Sequence, residues 1–113
     1  MTNVTSATPL VSPVQKAAYT SSTSGDNTAI AAAAGARFRV LGVSVNAVAA
    51  NLITFKSNTT AISGVFPLAA GTQMVMPYTE HGWFETAVGE ALTLNQSAAS
   101  AVGGQILYIK LLS

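Results

Sequence analysis

The sequence contains no cysteine, which excludes a disulfide scaffold, a thiolate metal site and a cysteine nucleophile. Charge is nearly as scarce. Charged residues make up 8% of the chain with a formal net charge of +1, where an ordinary soluble domain carries about 25%. Five basic residues against four acidic ones leave no electrostatic footprint for DNA or RNA, and only Arg37 and Arg39 stand close together. No nucleic-acid partner is expected. No stretch approaches the roughly eighteen consecutive apolar residues of a membrane span, and the start, MTNVTSATPLVSPVQ, lacks the basic opening and apolar run of a secretory signal. The expectation is a soluble chain made in a cytoplasm, with no membrane partner.

Hydrophobic residues make up 50% of the 113 positions. That length sets a prior of one domain, and one core is feasible without a staple. A surface so poor in charge does not keep copies apart by repulsion, so much of it is expected to be covered by copies of itself or by partners.

The chain divides by composition at residue 27. Residues 1–27 hold the uncharged stretch Thr2 to Pro13, with prolines at Pro9 and Pro13, and the turn-like TSSTSGDN, separated by one short strand over Val14 to Tyr19. A loose terminus is the plain reading of such a segment. The functional one is an extended N-terminal arm that lies on another subunit or on a shell, contacting it through Val4, Pro9, Leu10, Val11 and Pro13.

Residues 28–113 read as an all-β domain. Short runs of Val, Ile, Phe, Thr and Leu are cut by Gly, Pro, Asn and Ser, which leaves no room for βαβ units. Strands are expected at Thr28 to Ala32, Arg37 to Val48, Asn51 to Ser57, Ala61 to Ala69, Gln73 to Tyr78, Trp83 to Thr86, Ala91 to Asn95 and Gln105 to Leu112. About eight strands suit a single jelly-roll-like antiparallel β-sandwich. Ala31 to Ala34 reads as a strand end and turn, because Gly35 cuts it short, and Gly103-Gly104 as a turn into the last strand.

Parity within two strands carries more. In Arg37 to Val45, Phe38 and Val40 share one face while Leu41, Val43 and Val45 take the other; either a bulge near Gly42 unites the sets or both faces are buried. In the last strand Leu107, Ile109 and Leu111 form one face, and Ile106, Tyr108 and Leu112 the other. One face of an antiparallel sandwich normally meets water, so a doubly apolar strand points to a contact between subunits, with Tyr108 and Leu112 as candidate contact residues.

Candidate chemistry is thin. His81 stands between Glu80 and Glu85, so a base with an orienting carboxylate can be drawn, but no nucleophile elbow accompanies it. A loop histidine with a local hydrogen bond accounts for it as well. Glu85 and Glu90 form a formal carboxylate pair without a sugar-stacking cluster, and partnership with Arg37, Arg39 or Lys56 is the simpler account. Alternation sends Trp83 and Phe84 to opposite faces, one to the core and the other to an interface or ligand. No catalytic residue, metal or cofactor is assigned.

The phrases SGDNTAIAAAAGARFRVLGVSV and NLITFKSNTTAISGVFPLAAGTQMVMPY, and above all GWFETAVGEALTLN (residues 82–95) and AVGGQILYIKL (residues 101–111), resemble small virion proteins of tailed bacteriophages, of the capsid decoration or cement type. The resemblance covers about three-quarters of the chain and rests on turn glycines and core aromatics. It implies a jelly-roll-like sandwich, usually a homotrimer, made in the host bacterial cytoplasm and placed on the outer surface of the head, where it binds the major capsid protein and stabilises the shell without catalysis. Similar modules occur in fibres and spikes, so a receptor- or carbohydrate-binding tip, with Tyr78 or Trp83 stacking on sugar, is the alternative. A small hydrolase using His81 is the third.

Overall fold

Strand alternation is clearest in Asn51–Ser57, where Ile53 and Phe55 are fully buried while Leu52, Thr54 and Lys56 point the other way. A computed structural model describes residues 13–112 and turns this and the similar stretches into nine strands. They are β1 (Gln15–Ser21), β2 (Gly25–Ile30), β3 (Ala36–Ala47), β4 (Asn51–Ser57), β5 (Thr60–Leu68), β6 (Thr72–Met76), β7 (Phe84–Glu85), β8 (Leu92–Gln96) and β9 (Val102–Leu112). All pairings are antiparallel.

Sheet A runs β1-β9-β3-β6, with the two-residue β7 beside β6 along the same edge of β3; sheet B runs β2-β8-β4-β5. This is the order produced when one long hairpin, pairing β1 with β9, β2 with β8, β3 with β6 and β4 with β5, is wound around itself. The wrapping then adds β9 to β3 and β8 to β4. The domain is therefore a jelly roll of eight principal strands plus a short ninth. Asn58, at φ 54°, supplies the left-handed residue in the two-residue connection from β4 to β5.

The core lies between the sheets. Phe38, Val40, Val43, Val45 and Ile106 from sheet A meet Ile53, Phe55, Leu92 and Leu94 from sheet B. Phe55 packs on Phe84 with ring centres 4.6 Å apart, and Phe38 meets Tyr108 edge-on at 5.6 Å. A buried polar contact also joins the layers: the Tyr19 hydroxyl of β1 donates to Gln96 Oε1 of β8 at 2.6 Å.

The register of β3 against β9 shifts between Val40 and Gly42, a β-bulge that leaves Leu41 on the outside and brings Phe38, Val40, Val43 and Val45 to one core face. Two expectations need correction. The boundary at residue 27 falls inside β2, and β1 pairs over seven residues with β9, so residues 15–27 belong to the sandwich. Their side chains are small and polar, and main-chain pairing with Tyr19 as anchor is what holds them. Gly103 and Gly104 are likewise in β9, not in a turn, and at Gly104 the backbone of β3 lies too close for a side chain. The expected contacts Val4, Pro9, Leu10 and Val11 lie outside the described residues; Pro13 is exposed just before β1.

Candidate functional site

The two sheets differ on their outer faces. Sheet B turns Thr28, Thr54, Lys56, Asn95 and the buried Thr93 outward, a mainly polar face, with Leu52 and Val65 exposed toward the β4–β5 edge. There Asp26 accepts from Asn95 Nδ2 at 2.7 Å and from Lys56 Nζ at 3.0 Å, and these bonds hold its carboxyl below the usual range. Sheet A instead carries a second apolar cluster on the side away from the core: Leu41, displaced outward by the bulge, with Ile109 and Leu111 of β9 and the half-buried Leu107 against them. Arg39 and Arg37 stand opposite Ile109 and Leu111 on β3. Their guanidinium Nε atoms both donate to Glu85, Arg37 to Oε2 at 2.8 Å and Arg39 to Oε1 at 2.7 Å, so one carboxylate steers two long side chains alongside the cluster.

Between β6 and β7 the chain leaves the sheet and returns, as residues 77–83. The bulge makes room for it. Thr79 N–H donates to the Leu41 carbonyl at 3.0 Å and Trp83 N–H to the Val40 carbonyl at 2.7 Å, while the indole Nε1 of Trp83 donates to the Pro77 carbonyl at 2.8 Å. Gly82 lies over the Arg39 side chain at φ 80°, where an added Cβ would meet the arginine stem. The loop so held leaves Tyr78 56% and Trp83 45% exposed. Phe84, one residue on, joins the core against Phe55, the split that alternation requires.

Beside this loop a groove of about 460 Å³ crosses the outer face of sheet A. Its lining includes Lys16 of β1, Gln105 and Leu107 of β9, Gly42 and Ser44 of β3, Val75 of β6 and Tyr78 of the loop. The missing side chain at Gly42 forms part of the floor. A second groove of about 480 Å³ near the β4–β5 edge is lined by uncharged residues, and its polar members Asn51 and Ser97 are already engaged with the β8–β9 connection.

The catalytic candidates are not assembled. Glu85 is occupied by the two arginines, Glu90 accepts from Ser57 Oγ at 2.6 Å, and His81 is exposed on the loop. Among the described residues no three His, Cys, Asp or Glu side chains group as metal ligands. Of the two β9 contact candidates, Tyr108 faces the core and donates its hydroxyl to Gln15 at 2.9 Å, whereas Leu112 is partly exposed at the strand end. Parity separates the β9 side chains as expected, but the outward set is Leu107, Ile109 and Leu111. The groove could not be read from the sequence, since Lys16, Ser44, Tyr78 and Gln105 are brought together only by strand order.

The chain matches no known family, and no curated protein is similar to it.

Proposed function

We propose that this protein is a non-enzymatic structural component of a tailed-bacteriophage virion, a decoration protein that forms a homotrimer on the outer surface of the head and binds the major capsid protein. The observation that carries this reading is the asymmetry of the sandwich: the interior strands of sheet B present mainly polar side chains outward, with Leu52 and Val65 exposed toward the β4–β5 edge, while sheet A carries a compact apolar cluster on its outer side. Val14, just before β1, and Leu112, at the end of β9 on the face opposite Ile109 and Leu111, are both exposed at this end of sheet A, which is the proposed contact surface. With charged residues at 8% of the chain, repulsion between copies is weak. Jelly rolls recur in viral capsid and lectin domains. The gain from assembly would be multivalency: three linked weak contacts hold far longer than one.

The test measures particle mass by light scattering and head occupancy after gradient purification. A trimer at micromolar concentration and a fixed stoichiometry on heads are expected, with Val14→Glu and Leu112→Glu reducing both and Val65→Glu, on the free edge of sheet B, reducing neither. A monomeric wild type, or heads that carry none of it, removes the reading. The second reading, a receptor- or carbohydrate-binding tip of a fibre or spike, is favoured by the exposed Tyr78 and Trp83 beside the groove.

A further inference from the structure

We infer that the groove on sheet A is a binding site for a saccharide bearing a carboxylate, of the uronic or sialic acid type. Three independent features converge on that chemistry. The first is the platform: Tyr78 stands exposed at the lip, in a loop tied down at Leu41, Val40 and Pro77, so its ring is presented without being buried. A rigid, half-exposed aromatic offers an apolar face to the C–H side of a pyranose while its hydroxyl stays wet.

The second feature is charge. Lys16 is the one charged side chain among the described residues of the lining. Arg37, Arg39 and Lys56 each have a carboxylate partner, whereas Lys16 has none among the described residues. A cation beside an apolar floor, with no acid nearby among the described residues, favours an anionic group, as a point charge with three donors suits a carboxylate.

The third feature is the polar complement. Ser44 Oγ accepts from Gln73 Nε2 at 2.9 Å, which leaves its own proton available to a ligand, and Gln105 presents an amide that makes no described side-chain bond. One ring, one cation, one hydroxyl and one amide around an apolar floor is the sparse polar pattern of a small-molecule site, and about 460 Å³ falls within the usual range of roughly 300–1,000 Å³. The second groove lacks both a charge and an exposed ring, so it does not compete.

This inference is separate from the decoration reading, since the groove lies at the bulge while the proposed subunit contact lies toward the end of β9. The experiment titrates the intact protein with trigalacturonate, 3′-sialyllactose and neutral maltotriose, following amide shifts and light-scattering mass together. Binding of at least one acidic saccharide in the millimolar range or tighter, with maltotriose at least about tenfold weaker, is expected. Tyr78→Ala and Lys16→Gln should each weaken it about tenfold or more, with Tyr78→Phe retaining most of it and particle mass unchanged. The inference is overturned if neither acidic saccharide binds, if maltotriose binds equally well, or if the two variants bind like wild type. Loss of the assembled state on Tyr78→Ala or Lys16→Gln would also overturn it, by making the groove a subunit contact, and would leave the decoration reading standing. A wild-type monomer that binds the acidic probe would do the reverse.

Discussion

Gly104→Ala is the most decisive perturbation of the framework. Gly104 sits in the middle of sheet A, opposite Tyr19 on β1 and Val45 on β3. A Cβ built there would fall on the Ser44 carbonyl oxygen and lie 2.7 Å from Val45 Cα and 2.8 Å from the Ser44 carbonyl carbon. These are backbone atoms, so no rotamer change relieves the overlap; β9 must move away from β3. Overpacking in a well-packed interior costs about 1–3 kcal/mol, and disturbing one or two ladder hydrogen bonds adds about 0.5–1.5 kcal/mol each. A total of about 1.5–6 kcal/mol follows, a large share of the roughly 5–15 kcal/mol that stabilises a domain. At about 4 °C per kcal/mol the melting temperature should fall by roughly 6–24 °C. Gly103 is the internal control, because its Cβ would meet nothing closer than the Tyr19 carbonyl oxygen at 3.5 Å, an ordinary contact. Urea unfolding followed by far-UV circular dichroism on both variants tests the reasoning: equal midpoints for Gly103→Ala and Gly104→Ala would refute it.

Glu85→Gln removes the shared partner of Arg37 and Arg39, but the pairs are about one-third exposed, so a loss of only about 0.5–1 kcal/mol is expected, shrinking in 1 M salt, as denaturation at two ionic strengths would show. Burial pushes the Tyr19 phenol up to about 12 from an ordinary value of 10.0. Because the folded state holds that proton more tightly than the unfolded chain, the associated stability is complete below pH 10 and is lost as pH rises toward 12. Tyr19→Phe should remove this alkaline loss from the unfolding curve and, by leaving Gln96 Oε1 unpaired, cost about 1–3 kcal/mol at neutral pH. His81→Ala, on an exposed loop position, should leave melting temperature, particle mass and head binding unchanged; loss of head binding with the fold intact would show that the loop histidine has been undervalued. Deleting residues 1–13 should leave the sandwich folded by circular dichroism while lowering trimer stability or head occupancy, and full retention of both would reduce that segment to a passive end.

Much of the sandwich is legible because strand period and turn chemistry speak locally. Gly35 after the alanine tetrad, the Asn58-Thr59 turn and the alternation in β4 each mark their element without help from elsewhere. The β3 bulge is half-legible: the apolar sets are out of phase across Gly42, which a bulge or two buried faces would equally explain, and the bulge that forms unites Val43 and Val45 with Phe38 and Val40 but leaves Leu41 outside. What resists is whatever depends on a neighbour strand. β1 and the start of β2 look like an arm because their side chains are small and polar, yet each is paired along nearly its whole length by the main chain of β9 or β8. Gly103-Gly104 looks like a turn because a glycine pair usually is one, and only the approach of Ser44 and Val45 explains a glycine at 104. The two arginines could be assigned to Glu85 as candidate partners, but not their joint hold on one carboxylate beside the outer cluster.

The jelly-roll winding explains why the outer face of sheet A can vary independently of the core. β9 and β3 are its two interior strands, as β8 and β4 are those of sheet B. In all four, one alternate set of side chains builds the core, and for β9 that set includes Ile106 and Tyr108. The other set is free to be polar, and in β8 and β4 it mostly is: Thr93, Asn95, Thr54 and Lys56, with Leu52 the exception. In β9 the same positions are Leu107, Ile109 and Leu111, although the core is already filled from the opposite face. Leu41, Ile109 and Leu111 are nonetheless buried within the chain itself, so polar side chains there would lose water, and the apolar set forms a second small core on the outward side of this one sheet. The bulge adds Leu41 to the same side and opens the groove next to it, so one inserted residue in β3 both extends the apolar cluster and provides the floor on which Lys16, Ser44, Tyr78 and Gln105 converge.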